Sequence, residues 1–401
     1  MTTQGPDARE QDTGEDERFW QLVPIADYRL PQTPAAGAAR ARWASLRRLF
    51  APHREAPEAP ARTEADLRGL TAQRLDALAG PVDWTAGAAA LDQQLEQDTD
   101  GVWFVIGPPH SGHVALLNAW AVRQGARRIE PPGDDAILSA DRAWLAAWPR
   151  EAGRWLLPRL EQCWLRHAAG LALARELLTR AQAGQLGRGV IGCDSWAWAY
   201  LRQVAPLPTR RVLTLQACDG ECLAGLFRSL VAAEVRRPVR FRHAHSGKPV
   251  LVVDDAKDAA GAAELEYLAA RCRGNTGLAR ALWRSRLRAE PDADSDDADT
   301  ANVDDGTSIW LAAAEEPSLA AGPDETVALV LHALLLHNGL PRPLLAELLP
   351  LPAFRVQGAL HRLAAAGAIV ETPAGDLRIS AAGYAPARDL LQAQGFLMDD
   401  F

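Results

Sequence analysis

The chain has 401 residues, a formal net charge of −8 at pH 7 and 48% apolar residues. That length allows two or three domains and a sizeable core, and the acidic balance excludes a general electrostatic binder of nucleic acid. No apolar run is long enough for a transmembrane helix, and residues 1–20 lack the apolar core of a secretory signal, so a cytoplasmic protein is expected.

Residues 1–64 read as an irregular N-terminal arm. Met1–Arg18 is polar and acidic and predicts disorder. Phe19–Pro31 can dock as an extended segment. Arg40–Phe50 (RARWASLRRLF) places Trp43, Leu46, Leu49 and Phe50 on one helical face, with Arg40, Arg42, Arg47 and Arg48 supplying charge. The pattern suits an anionic membrane surface, peripheral to an inner membrane, or an acidic partner groove. A plain docking helix or unstructured arm explains it equally simply and is preferred.

Residues 65–237 alternate helical patterns with short apolar runs, which predicts a parallel α/β core. Strands are expected near 102–106, 126–130, 154–157, 188–193 and 211–216, and Glu161–Ala183 is the clearest helix. After the first strand, Gly107 and Gly112 have the spacing of G-x-x-x-x-G-K-[ST], and a helical pattern follows. His113 stands where the lysine belongs, and Val114 where the magnesium-holding hydroxyl belongs. The only lysines are Lys248 and Lys257, so no shift of register restores the motif.

Residues 238–288 predict a hairpin and a pair of helices joined at Gly274-Asn275-Thr276-Gly277. His243 and His245 lack a third ligand at useful spacing, so no metal site is expected. Asp254 and Asp255 end an apolar run and read as a hairpin end rather than as catalytic acids. Residues 289–320 form an acidic linker. Residues 321–401 predict three helices, a two-stranded wing and a last helix.

This succession of strand, loop, five-stranded core, paired helices and wing resembles the ASCE branch of P-loop NTPases, which includes the AAA+ and STAND groups. The resemblance implies a parallel-sheet P-loop core, a helical lid and a C-terminal winged helix-turn-helix. It implies ATP or ADP as ligand, with Gly107, Ser111, Gly112, His113 and Val114 as the binding loop. Backbone amides alone can cradle phosphate, but the lost side chains argue for no resident cofactor. Hydrolysis also needs a carboxylate after the third strand. Pro158 and Arg159 occupy those positions, and Glu161 reads as the start of the next helix. Asp194 or Ser195, after the fourth strand, could sense phosphate, although capping of the helix from Trp196 is preferred.

The five cysteines form no C-x-x-C pair and read as buried free thiols. Of the 13 tryptophans, those at Trp155, Trp164, Trp196, Trp198 and Trp283 read mostly as core. The segment Ser195–Leu201 (SWAWAYL) is similar to one in bacterial proteins associated with small-conductance mechanosensitive channels, which implies a membrane-associated complex as partner.

The expectation is a catalytically degenerate AAA+/STAND-like scaffold or regulatory protein with a protein partner. The alternatives are a nucleotide-binding switch with little hydrolysis and a winged-helix DNA-binding regulator. The second is disfavoured, because residues 321–401 hold five arginines against eight acidic residues.

Overall fold

A computed structural model describes residues 19–31, 61–98, 101–146, 148, 153–232, 235, 238–253, 263–291, 307–319 and 325–401. Arg40–Phe50, Asp254 and Asp255 lie outside the described residues, as does most of the acidic stretch. The strands are β1 (Leu22–Pro24), β2 (Arg68–Gly69), β3 (Val102–Gly107), β4 (Arg127–Arg128), β5 (Trp155–Leu157), β6 (Gly189–Asp194), β7 (Val212–Leu215), β8 (Val239–His243), β9 (Pro249–Val253), β10 (Leu287–Ala289), β11 (Thr307–Leu311), β12 (Leu340–Pro341), β13 (Ile369–Glu371) and β14 (Asp376–Ile379). The α-helices are α1 (Ala72–Leu78), α2 (Thr85–Glu96), α3 (His113–Gln124), α4 (Asp134–Leu138), α5 (Ala143–Ala146), α6 (Ala172–Gln182), α7 (Ser195–Val204), α8 (Gly220–Ser229), α9 (Ala263–Arg271), α10 (Thr276–Arg286), α11 (Thr326–Leu336), α12 (Arg342–Leu348), α13 (Ala353–Ala365) and α14 (Ala381–Ala393).

The chain forms two compact units that interleave in sequence. One combines residues 21–28, 84–216 and 315–401; the other combines residues 1–20, 29–83 and 217–314.

The first unit is built on a six-stranded sheet in the order β1-β7-β3-β6-β5-β4. Strands β3 to β7 are parallel throughout. Numbered along the chain, these five lie in the order 5-1-4-3-2, so the fourth strand is inserted between the first and third. The apolar run of β3 is buried on both faces because helices cover both. Phe104 and Ile106 face a cluster with Leu157, Ile191, Leu177, Trp198 and Leu201. Val105 faces the opposite cluster with Leu156, Val190, Leu213, Leu116 and Trp120. Part of the segment Phe19–Pro31 does pair: β1 runs antiparallel to β7, with Val23 opposite Thr214.

The predicted helix Glu161–Ala183 is a correction. Leu160–Gln162 is a 3-10 turn, and the α-helix begins only at Ala172. Gly170 sits so close to Leu165 that a Cβ on it would come within 2.4 Å of the Leu165 carbonyl oxygen. The Leu165 amide donates to the Gly170 carbonyl at 3.1 Å. This reversal interrupts the helix.

Residues 325–401 supply α11 to α14 and the small sheet β12-β14-β13. Leu336 and Phe401 belong to the same apolar cluster as Phe104 and Trp155. The C-terminal helices are therefore part of the α/β core's own packing.

The second unit carries a mixed sheet in the order β2-β10-β11-β8-β9. The predicted hairpin is β8–β9, with Val239 opposite Val253. Strand β11 lies within the expected acidic linker and pairs parallel with β8; the linker is thus partly sheet. Helices α9 and α10 meet at the predicted junction, where the Asn275 side chain caps α10 by accepting from the Leu278 amide at 3.0 Å.

Candidate functional site

In an open parallel sheet, ligands bind beyond the carboxyl ends of the strands. Three segments of the first unit meet there: the loop after β3, the 3-10 turn after β5, and the end of β6. Gly107 pairs with Asp194 across β3 and β6.

The loop keeps its backbone form. Gly112 has φ +82 and leads directly into α3, and His110 also has positive φ, at 67. Such angles favour glycine, so the second motif glycine is held by conformation as well as by space. A Cβ on Gly112 would come within 2.3 Å of the Trp84 ring. Trp84 thus lies against the loop.

The side chains of the loop do different work from that of a phosphate site. His113 is 3% exposed, and its Nδ1 lies 2.9 Å from Ser111 Oγ. A Cβ on Gly107 would meet His113 Nδ1 at 2.5 Å and Ser111 Oγ at 2.6 Å. The imidazole therefore folds back against the glycine that opens the motif. Burial, with the nearby Arg159 guanidinium, pulls its pKa down to about 3. It is neutral at physiological pH and adds no positive charge. Val114 carries no polar group.

Two carboxyls stand beside this filled loop. Glu161 and Asp194 are fully buried, and the Asp194 amide donates to Glu161 Oε2 at 3.1 Å. Asp194 Oδ1 accepts from the Trp196 amide at 3.0 Å, capping α7. Burial raises the pKa of both acids, and the Glu161 carboxylate raises that of Asp194 further. Arg159 and Arg378 oppose the shift at Glu161. Glu161 Oε1, Asp194 Oδ2 and His113 Nε2 have no hydrogen-bond partner. Among the described residues, no group of three or more His, Cys, Asp or Glu side chains could hold a metal ion.

Of the sequence candidates, Gly107, Ser111, Gly112 and His113 do come together, and Asp194 caps a helix. Ser195 Oγ donates to the Asp399 carboxylate instead of facing the loop. Sequence reasoning gave Glu161 to a helix and so missed its buried carboxyl. The signal was its place four residues after the apolar run of β5. The tryptophans at 155, 164, 196, 198 and 283 are all buried. Of the five cysteines expected to be free, Cys163, Cys193 and Cys272 are buried thiols, whereas Cys218 and Cys222 are bonded. A depression lined by Asp98, Trp103, Arg154 and Arg188 lies at the amino ends of β3 and β6.

Strand order and the strand–loop–helix at its first strand define an α/β protein with a five-stranded parallel core and a glycine loop at the carboxyl end of β3. No protein-family model matches the sequence, and no curated protein matches it. Among solved structures, the chain is similar to the Thermotoga maritima RuvB Holliday junction branch migration motor at 12% identity, with a TM-score of 0.31, covering 84% of this chain and 98% of that one. A likeness of that size carries no argument about fold or function. No helix among the described residues is long and apolar enough to cross a membrane.

Proposed function

We propose that this chain is a catalytically degenerate P-loop protein of AAA+/STAND type that acts as a scaffold or regulatory partner through protein contacts. The observation that carries the reading is His113. Its neutral ring fills the space against Gly107 and bonds to Ser111, where an active loop directs a charged lysine at phosphate. Phosphoryl transfer depends on charge neutralisation of the transferred group. Here the nearest carboxyls are shifted toward their neutral forms, and the loop supplies no cation of its own.

Helices α11 to α13, the β13–β14 hairpin and α14 have the order of a winged helix, and we read them as one. The tail of that module packs into the α/β core, which supports a structural or protein-binding role. Its acidic balance disfavours DNA. The partner class is a protein, in the cytoplasm or in a membrane-associated complex, with Arg40–Phe50 as the peripheral membrane contact to be tested by liposome flotation with and without residues 1–60. Equal behaviour of the two chains removes that contact.

Calorimetric titration with ATP and ADP, together with a magnesium-dependent turnover assay, tests the central reading. Turnover on the order of 1 s⁻¹ that is abolished by Gly112→Ala overturns it. Co-purification from the native host, read by mass spectrometry, is expected to return a stable protein partner.

A second reading, a nucleotide-binding switch, is favoured by the retained left-handed Gly112 and by the two guanidinium groups, Arg159 and Arg378, near the acid pair. Saturable ADP binding without turnover supports this reading over the first.

A further inference from the structure

Cys218 and Cys222 are joined by a disulfide, with Cα atoms 5.3 Å apart. Cys218 is buried in the loop after β7, and Cys222 is half-buried in the first turn of α8. A bond that closes so short a loop restricts the unfolded chain little. Its surroundings point to a local role.

Asp219, between the two cysteines, caps α8 by accepting from the Cys222 amide at 2.9 Å. The Cys218 amide donates to the Gly274 carbonyl at 2.9 Å. Gly274 has φ +75, and a Cβ there would lie 2.5 Å from Ala217 Cβ and 2.7 Å from the Cys218 nitrogen. Gly220 packs as closely: its Cβ would lie 2.8 Å from the Glu266 nitrogen. The disulfide therefore sits where the start of α8 is pressed against α9 and against the α9–α10 junction. The chain also leaves one unit and enters the other between Gln216 and Ala217.

We propose that the Cys218–Cys222 bond is a redox-operated clasp, which a dithiol reductant opens to release the first turn of α8 and the 272–275 junction. A thiolate of the reductant attacks the more accessible Cys222 sulfur. The S–S bond breaks, and Cys218 leaves as a thiolate and takes up a proton. The second thiol of the reductant then attacks the mixed disulfide and frees Cys222, which is protonated in turn. The protein gains two electrons and two protons, and the reductant ends as a disulfide. Cys163, Cys193 and Cys272 are buried and do not compete.

The test uses the full chain. Alkylation after denaturation without reductant, followed by peptide mass spectrometry, should find residues 218 and 222 linked and Cys163, Cys193 and Cys272 alkylated. Graded dithiothreitol on the native protein should then expose Cys222 and Cys218 to alkylation before the other three. Hydrogen exchange at 217–224 and 272–277 should rise several-fold on reduction, with β3 and β6 unchanged. Cys222→Ser should show the reduced pattern at every reductant concentration. If that variant does not fold, the dithiothreitol series on the unaltered chain decides alone. Five alkylated cysteines without reductant overturn the proposal. So does reduction that leaves both segments unchanged, or that unfolds the β-sheet with them.

Discussion

His113 Nδ1 and Ser111 Oγ lie 2.9 Å apart within one buried loop. The Ser111 hydroxyl also accepts from the His113 amide at 3.4 Å. Ser111→Ala removes the ring's hydrogen-bond partner in a site closed to water. Leaving a buried polar group unsatisfied costs about 1–3 kcal/mol. The expected outcome is a loss of that size in urea unfolding, with the slope of the transition unchanged. An unaltered midpoint would show that the pairing does not hold the loop.

Acid should weaken the protein through its histidines. Burial lowers the pKa of His113 to about 3 and those of His332 and His337 to about 4. Unfolded histidine titrates near 6.5, so between these values the unfolded chain holds more protons. The histidine contribution is full above about pH 6.5 and is lost as pH drops through the window. Glu161 and Asp194 act in the opposite sense, because burial makes their folded forms retain protons. Glu161→Gln removes one opposing group, so its urea midpoint should fall more steeply than that of the parent between pH 6.5 and 5. Parallel curves would refute the assignment.

Gly192 lies within β6, where a Cβ would approach the Pro158 carbonyl oxygen to 2.4 Å and Leu117 Cδ1 to 2.5 Å. The first contact is backbone and cannot rotate away. Gly192→Ala should therefore destabilise by about 1–3 kcal/mol through overpacking, seen as a lowered thermal midpoint. A neutral effect would mean that the strand ends after β5 and β6 are less tightly joined.

Asp399 is a buried carboxylate of the tail. It pairs with Arg388, whose side chain is 9% exposed, and accepts from Ser195. Removing one member of a buried ion pair leaves the other uncompensated and costs about 3–5 kcal/mol. Asp399→Ala should lower the thermal midpoint far more than Asp400→Ala, because the Asp400–Arg202 pair is largely solvent-exposed. Equal effects would place the anchor elsewhere in the tail.

Local pattern made the parallel core legible. The runs at Val102–Ile106 and Val190–Cys193 are apolar, bounded by glycine or polar residues, and flanked by helical periodicity, so strands and loop could be read directly. The damage at His113 and Val114 was equally visible. What pattern does not carry is pairing at a distance. Ser195 and Asp399 are 204 positions apart, and nothing near either announces the other. Strand β11 was hidden for a related reason. Ile309-Trp310-Leu311 is a short run beside an acidic stretch, and only its distant partners β8 and β10 make it a strand. Glu161 misled because an acid at a helix start is ordinary, whereas its burial against the Asp194 amide depends on the third dimension.

The interleaving of the two units has a consequence for biosynthesis. The sheet and the tail that fills its core include Leu22 and Phe401 in one unit. A ribosome must therefore deliver everything from residue 21 to residue 401 before that unit can close. Early segments such as β3 wait with apolar faces uncovered until the tail has emerged, a state prone to aggregation. Trimming the chain from its C-terminal end removes part of the core rather than an appendage. A separately stable α/β half would require joining residues 21–28 to position 84 and position 216 to 315 by new loops.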